Sequence, residues 1–209
     1  MKKLVLAFAA MGSLLGAPVF AAPVAVGQGA FESSTVIDFN AVANEAAVGS
    51  TYAAQGVTFS GALLGMTNSG DTDNFPASGG VIASNWNYSQ IGNTGMSFTV
   101  DFAAPVSQVG FLLSNWDTQT MSVELFSGST SLGQLAFDHT IDGTGVFRGV
   151  GDAAGFDRAV FTNTAEVNGF YAIDDLRFTS LTAVPEPANV ALLLAGLAAI
   201  GLSRRARRA

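Results

Sequence analysis

Two short segments repeat the unit Ser-Asn-Trp: Ser84-Asn85-Trp86-Asn87-Tyr88 and Ser114-Asn115-Trp116-Asp117, each directly after an apolar stretch. Tryptophan and tyrosine combine a flat apolar face with a polar tip. Such faces can stack on sugar rings while neighbouring asparagine and aspartate bond to hydroxyls. Trp86, Tyr88 and Trp116 are therefore the candidate ligand surface. The same rings would serve equally well to cap the core of a β domain, and their burial separates the two roles.

A second group is acidic. Asp38 lies in the first strand-like segment, and Asp174 and Asp175 lie in the last. If those segments pair, the carboxylates converge, and calcium takes six to eight such oxygen ligands. An Asp-Asp pair at a strand edge is also an ordinary bulge. No other cofactor is expected. Asp71-Thr72-Asp73-Asn74 resembles the opening of a calcium loop, but Pro76 stands where an EF-hand needs glycine and no glutamate closes it. Catalytic sets are lacking: His139 is the sole histidine, with no Gly-x-Ser-x-Gly elbow, Walker loop or Rossmann fingerprint in place. Acidic residues are plentiful enough that a glycosidase-type carboxylate pair stays open, but the expectation is a protein that is not an enzyme.

The whole composition narrows the field further. The 209 residues carry 16 acidic against 9 basic side chains, and 49% are hydrophobic. Intrinsic disorder is excluded, because so apolar a chain can offset its ordering entropy. A pI of 4.4 argues against nucleic acid as a partner, since phosphate binding needs a basic face. The absence of cysteine removes disulfides, thiolate zinc sites and a cysteine nucleophile. At the N-terminus Lys2 and Lys3 precede an apolar stretch from Leu4 to about Phe20, and Val19 and Ala21 satisfy the small-residue rule for cleavage after Ala21. Residues 1–21 thus read as a signal peptide for Sec export and signal peptidase.

Residues 184–209 form a second address. Val184-Pro185-Glu186-Pro187 precedes an uncharged run from Ala188 to Leu202, and Arg204, Arg205, Arg207 and Arg208 follow. As a helix the run spans about 22 Å at 1.5 Å per residue, short of the roughly 30 Å hydrocarbon core but extendable by snorkelling and local thinning. Four arginines keep the tail in the cytoplasm by the positive-inside rule, so the body lies outside. Two prolines make a stiff extended segment at the outer interface. This order of features at a C-terminus resembles the PEP-CTERM sorting signal. The resemblance implies recognition of Pro185, Glu186 and Pro187 by an exosortase, a membrane-embedded cysteine transpeptidase of bacteria that make extracellular polysaccharide. It implies transient anchoring in the membrane, then the cell surface or the extracellular matrix.

Between the two addresses, residues 22–183 hold 3 basic and 15 acidic residues, a net of −12 with no lysine. Such a surface repels its own copies, and a cation such as calcium would relieve the repulsion. Period-2 alternation marks strands: Val57 and Phe59, then Phe98, Val100 and Phe102, then Met121, Val123 and Leu125. Further strands are expected at 35–39, 80–83, 106–113, 132–137, around Val160, and at 170–179. Turns are expected at Gly79-Gly80, Gly92-Asn93, Ser127-Gly128, Asp142-Gly143 and Asn168-Gly169. One helical turn is expected within 41–54. The fold class is all-β, an antiparallel β-sandwich of jelly-roll type in one domain, its first and last strands paired. The body is similar to galactose-binding-like and carbohydrate-binding jelly rolls in Ile37-Asp38-Phe39, Tyr52–Phe59, Val109-Gly110-Phe111 and Ile173–Phe178. That resemblance implies a structural calcium between the terminal strands. The expected function is an exported, non-enzymatic surface or matrix protein that binds exopolysaccharide, or a structural one without a defined ligand.

Overall fold

The computed structural model describes residues 22–67, 80–87, 92–115, 119–139, 145–164 and 169–181. The two address segments, with Pro185, Glu186, Pro187 and the four terminal arginines, lie outside the described residues, as do Asp71–Asn74, Tyr88 and Trp116. Among the described residues no helix is long and apolar enough to cross a membrane.

What is described is all-β and antiparallel. The strands in chain order are β1 (Val24–Ala25), β2 (Thr35–Ile37), β3 (Val57–Gly61), β4 (Leu64–Thr67), β5 (Val81–Ser84), β6 (Trp86–Asn87) and β7 (Gly92–Asn93). They continue with β8 (Ser97–Asn115), β9 (Gln119–Ser127), β10 (Thr130–His139), β11 (Val146–Asn163) and β12 (Tyr171–Ser180). The main sheet runs β10-β9-β11-β8-β12-β5-β4, with β1 on β11, β2 on β12 and β3 on β8. The expected first-to-last pairing is present: Ile37 faces Leu176 and Thr35 faces Phe178.

Two strands fold this sheet over on itself. The expected strands at 98–102 and 106–113 are one strand, β8, whose first part pairs with β3 and whose second part pairs with β12. It bends at Ala103-Ala104-Pro105, which is solvent-exposed; proline is tolerated there because no ladder bond needs its missing N–H. β11 bends at the same level, where its register on β8 shifts between Gly151 and Arg158. The two halves of each strand thus lie in facing layers. Between them Phe102 meets Phe178 at 5.2 Å and Phe156 at 5.8 Å, while Phe98 stacks on Phe161 at 4.8 Å and meets Tyr171 at 5.6 Å.

The alternating residues read from the sequence are the ones that point inward: Val57, Phe59, Phe98, Val100, Phe102, Met121, Val123 and Leu125 all belong to one buried cluster. Each fully buried side chain of this kind contributes roughly 1.5–3 kcal/mol relative to exposure. A smaller cluster of Met66, Ile82, Phe170 and Ala172 sits apart from it, with Trp86 and Leu112 against its rim.

Local details differ from expectation where backbone needs overrode pattern. The helical turn within 41–54 appears as a short 3-10 turn at Ala53–Gln55, ended by Gly56 at φ 86°. Gly92-Asn93 is strand β7, paired with Trp86-Asn87, and not a turn. Ser127-Gly128 does form the β9–β10 hairpin, with Gly128 at φ 58° as a two-residue loop of this type requires. The Asp157 carboxylate accepts the Gly128 N–H at 3.0 Å, and Arg158, stacked 4.5 Å over Phe126, donates to the Gly128 carbonyl.

Candidate functional site

The two Ser-Asn-Trp units come out at one level of one sheet. β5 and the second part of β8 flank β12 on opposite sides, both antiparallel to it. Ala172 faces Ser84 across one ladder and Ser114 across the other. Tyr171, the next residue toward the end of the sheet, faces Asn115. The repeat seen in the sequence is therefore a spatial repeat about the first residues of β12. Trp116 itself falls outside the described residues.

The first unit is tied down by buried polar bonds. Ser84 Oγ donates to the Tyr171 carbonyl at 2.9 Å and accepts the Trp86 N–H at 3.0 Å. The Asn85 side-chain amide donates to the carbonyls of Gly95 at 2.9 Å and Gly169 at 2.7 Å, and its Oδ1 accepts the Tyr171 N–H at 2.9 Å. The Asn85 carbonyl accepts the Thr94 N–H at 2.7 Å. Asn85 has no exposed surface. This corrects the expectation for one member of the surface: Asn85 does not offer its amide to a sugar hydroxyl, because each of its polar atoms is spent joining three segments of chain. Nothing in the sequence separates such an asparagine from an exposed one.

Trp86 follows immediately and is half-buried. Its ring meets Phe170 edge to face, 6.2 Å between centroids at 73°, and leans on the smaller apolar cluster. Part of Trp86 thus packs against Met66, Ile82, Phe170 and Ala172, as the capping role expects. Asn87, also half-buried, sits beside it on the β6–β7 ribbon.

The acidic residues differ in burial and partners. Asp38 is exposed and accepts the Asn40 N–H at 3.2 Å. Asp174 is fully buried, opposite Leu112. Asp175 sits at φ 49° in a bulge where β12 gains one residue on β8, and pairs with Arg177 at 3.4 Å within its own strand. Aspartate tolerates this left-handed backbone better than most residues. Among the described residues, which include Asp38, Asp174 and Asp175, no group of three or more His, Cys, Asp or Glu side chains could hold a metal ion. Asp38 and Asp174 act instead on Tyr52: burial chiefly raises the pKa of its hydroxyl, the Ala41 N–H bond opposes this, and the two negative charges add to the rise.

No protein-family model matches the chain, and no curated protein matches it. Among solved structures it is similar to the K2 cleaved adhesin domain of Lys-gingipain, with 14% identity over 70% of this chain and 99% of that one and a TM-score of 0.49. It is similar to TmCBM61 in complex with β-1,4-galactotriose, with 15% identity over 59% of this chain and 88% of that one and a TM-score of 0.39. It is similar, too, to the family 32 carbohydrate-binding module of C. perfringens NanJ in complex with galactose, with 12% identity over 69% and 98% and a TM-score of 0.38. All three TM-scores lie below 0.5, so nothing about ligands passes from them to this chain.

Proposed function

We propose that the chain is an exported, non-enzymatic protein of the cell surface or extracellular matrix whose jelly-roll-like β domain engages polysaccharide. The observation that supports binding is Trp86, partly buried against the smaller apolar cluster, its N–H held by Ser84 beside the buried Asn85 bonds at the end of the sheet where Ser114 and Asn115 also lie. A rigid aromatic on a bonded support loses little entropy on binding, which is what a sugar-stacking platform requires. Tyr88 and Trp116 complete that surface in this reading.

The addresses supply the location. Cleavage after Ala21 releases the body from the Sec pathway, and Pro185-Glu186-Pro187, the apolar run and the four arginines deliver it to an exosortase-type transpeptidase. Affinity-gel electrophoresis in acidic and neutral bacterial exopolysaccharides tests the binding half. The wild-type protein is retarded in at least one gel, and Trp86→Ala together with Trp116→Ala abolishes the retardation. Equal mobility of wild type and variant in every gel would leave a structural matrix role. Mass spectrometry of the C-terminus from native cells tests the sorting half, and peptides reaching Arg208 in the mature protein would sink it.

A further inference from the structure

The residues directly after the expected cleavage point are part of the body. Pro23 is buried, its ring 3.0 Å from the position a Cβ would take on Gly133 of β10. Val24 and Ala25 pair with Gly151 and Val150 in the first part of β11, and the Val26 N–H donates to the Gly149 carbonyl at 2.9 Å. A 3-10 turn at Gln28–Phe31 then packs on β11 and β12. It brings Phe31 to 1% exposure, edge to face with Phe147 at 5.3 Å between centroids. β10 and its neighbour β9 lie in the layer of the second part of β11, whereas Val24 and Ala25 lie on the first part. The strap 23–31 thus ties one layer to the other. The sheet is glycine where the strap crosses it: a Cβ on Gly149 would stand 2.7 Å from the Val26 carbonyl, and one on Gly151 3.3 Å from the Val26 side chain.

We propose that the strap docks only once the chain is cut after Ala21, so that removal of the signal peptide closes the fold; this rests on the export and cleavage reading above. The length of the tether decides it. The apolar stretch ends at about Phe20, at the edge of the hydrocarbon, and the headgroup layer beyond is about 5–7 Å thick. From Ala21 to Pro23 the chain reaches at most about 7 Å. Uncut, Pro23 stays among the headgroups, and docking it would draw Gly133 and the β9–β10 hairpin in after it. Two carboxylates lie at that hairpin: Glu124 accepts the Ser131 hydroxyl at 2.6 Å, and Asp157 accepts the Gly128 N–H at 3.0 Å. A body at −12 with three arginines and no lysine has no basic patch to set against lipid phosphates. A docked Pro23 would also leave Ala22 alone between the bond to be cut and the folded sheet, too little extended chain for a peptidase to grip. Hydrolysis of that bond by water leaves a carboxylate on Ala21 and an amine on Ala22. With one exposed residue ahead of it, the strap is then free to lie down on β11.

Amide hydrogen exchange over residues 22–31, read by mass spectrometry, tests this. Three forms of the full chain are made in an exporting host that lacks an exosortase and placed in the same phospholipid nanodiscs. The wild type is cut. Ala21→Phe breaks the small-residue rule and stays uncut. The third form carries Ala21→Phe and, after it, a 12-residue insert of proline and glutamine, which offers no small residue for cleavage and extends to about 37 Å. The wild type and the insert form are expected to exchange over 22–31 at least about ten-fold more slowly than Ala21→Phe, the protection that burial of one phenylalanine confers. Exchange in Ala21→Phe as slow as in the wild type overturns the proposal. So does an insert form as fast as Ala21→Phe, because the short tether is then not the cause. Sequencing the wild-type N-terminus separates the two readings. A start other than Ala22 removes the cleavage reading and this proposal with it, whereas a start at Ala22 with equal exchange in all three forms removes this proposal alone.

Discussion

Replacing Asn85 should cost more than any surface change, and in a way that depends on pH. Asn85→Ala removes three side-chain bonds, of 2.9, 2.7 and 2.9 Å, and leaves two carbonyls and one N–H without their buried partner. An unsatisfied buried group costs about 1–3 kcal/mol. Water entering the space left by the side chain restores part of this, so the net loss is about 3–5 kcal/mol. For a domain of this size that is a fall in Tm of roughly 9–15 °C. Asn85→Asp keeps the shape but turns an acceptor toward the carbonyls of Gly95 and Gly169. Burial and those two dipoles disfavour the carboxylate, so its pKa in the folded state lies above its unfolded value. A raised folded pKa means that stability is retained below about pH 4, the unfolded pKa, and is lost as pH rises through the folded value. Thermal unfolding of wild type, Asn85→Ala and Asn85→Asp from pH 3 to pH 7, followed by tryptophan fluorescence, measures both effects. An Asn85→Asp deficit that shrinks with rising pH, or an Asn85→Ala loss under about 1 kcal/mol, refutes the assignment of Asn85 as the buried clasp of this site.

Three further outcomes follow from the core. Tyr171 is fully buried and its hydroxyl has no hydrogen-bond partner among the described residues, so Tyr171→Phe should be neutral or stabilising by up to about 1–2 kcal/mol in urea titrations. Burial raises the pKa of that hydroxyl well beyond the ordinary tyrosine value. The wild type therefore loses stability as pH rises above about 10, where only the unfolded tyrosine ionises, and Tyr171→Phe lacks that share of the loss. A Cβ on Gly110 would lie 2.6 Å from Phe147 Cζ and 2.9 Å from the Arg148 carbonyl. Gly110→Ala should cost about 1–3 kcal/mol, and adding Phe147→Leu should recover only part, because the backbone clash stays. Phe98, buried between Phe161, Phe111 and Tyr171, should cost about 3–5 kcal/mol on truncation to alanine, measured as a shift in urea midpoint.

How much of this was readable in advance depended on whether a segment had a period. β3, β9 and the first part of β8 alternate strictly, and their inward residues are the ones expected. The pairing of β2 with β12 followed from closing a sandwich on its own ends. The first half of β11 was invisible because Gly149, Gly151, Ala153, Ala154 and Gly155 erase alternation. Yet Gly149 is small for a packing reason, since a Cβ there would stand 2.7 Å from the Val26 carbonyl. β8 looked like two strands because Pro105 reads as a stop, whereas it marks a bend within one strand. At the site, the repeated Ser-Asn-Trp unit was legible as a repeat, but its serine and asparagine read as surface polar residues. Partners 9 to 87 residues away decide otherwise, and separations of that length leave no local pattern.

The buried bonding of Ser84 and Asn85 bears on how the site can work. An aromatic platform on a mobile loop would have to be ordered on every binding event, at about 0.5–1.5 kcal/mol per immobilised side chain. Here the ordering is done during folding. The Asn85 amide, the Ser84 hydroxyl and the Thr94 N–H join β5, β12 and the residues before β8 into one bonded unit, and Trp86 is the first residue beyond it. Polar groups so placed add little net stability when all are satisfied and cost much when one is lost. Their value lies in a single arrangement of the sheet end. Because Trp86 follows directly on that arrangement, loosening the clasp should weaken binding even with the tryptophan intact. Asn85→Ala at a temperature where it remains folded is therefore expected to lose retardation in a polysaccharide gel nearly as fully as Trp86→Ala. Full retention by folded Asn85→Ala would mean that the ring orients itself without the clasp.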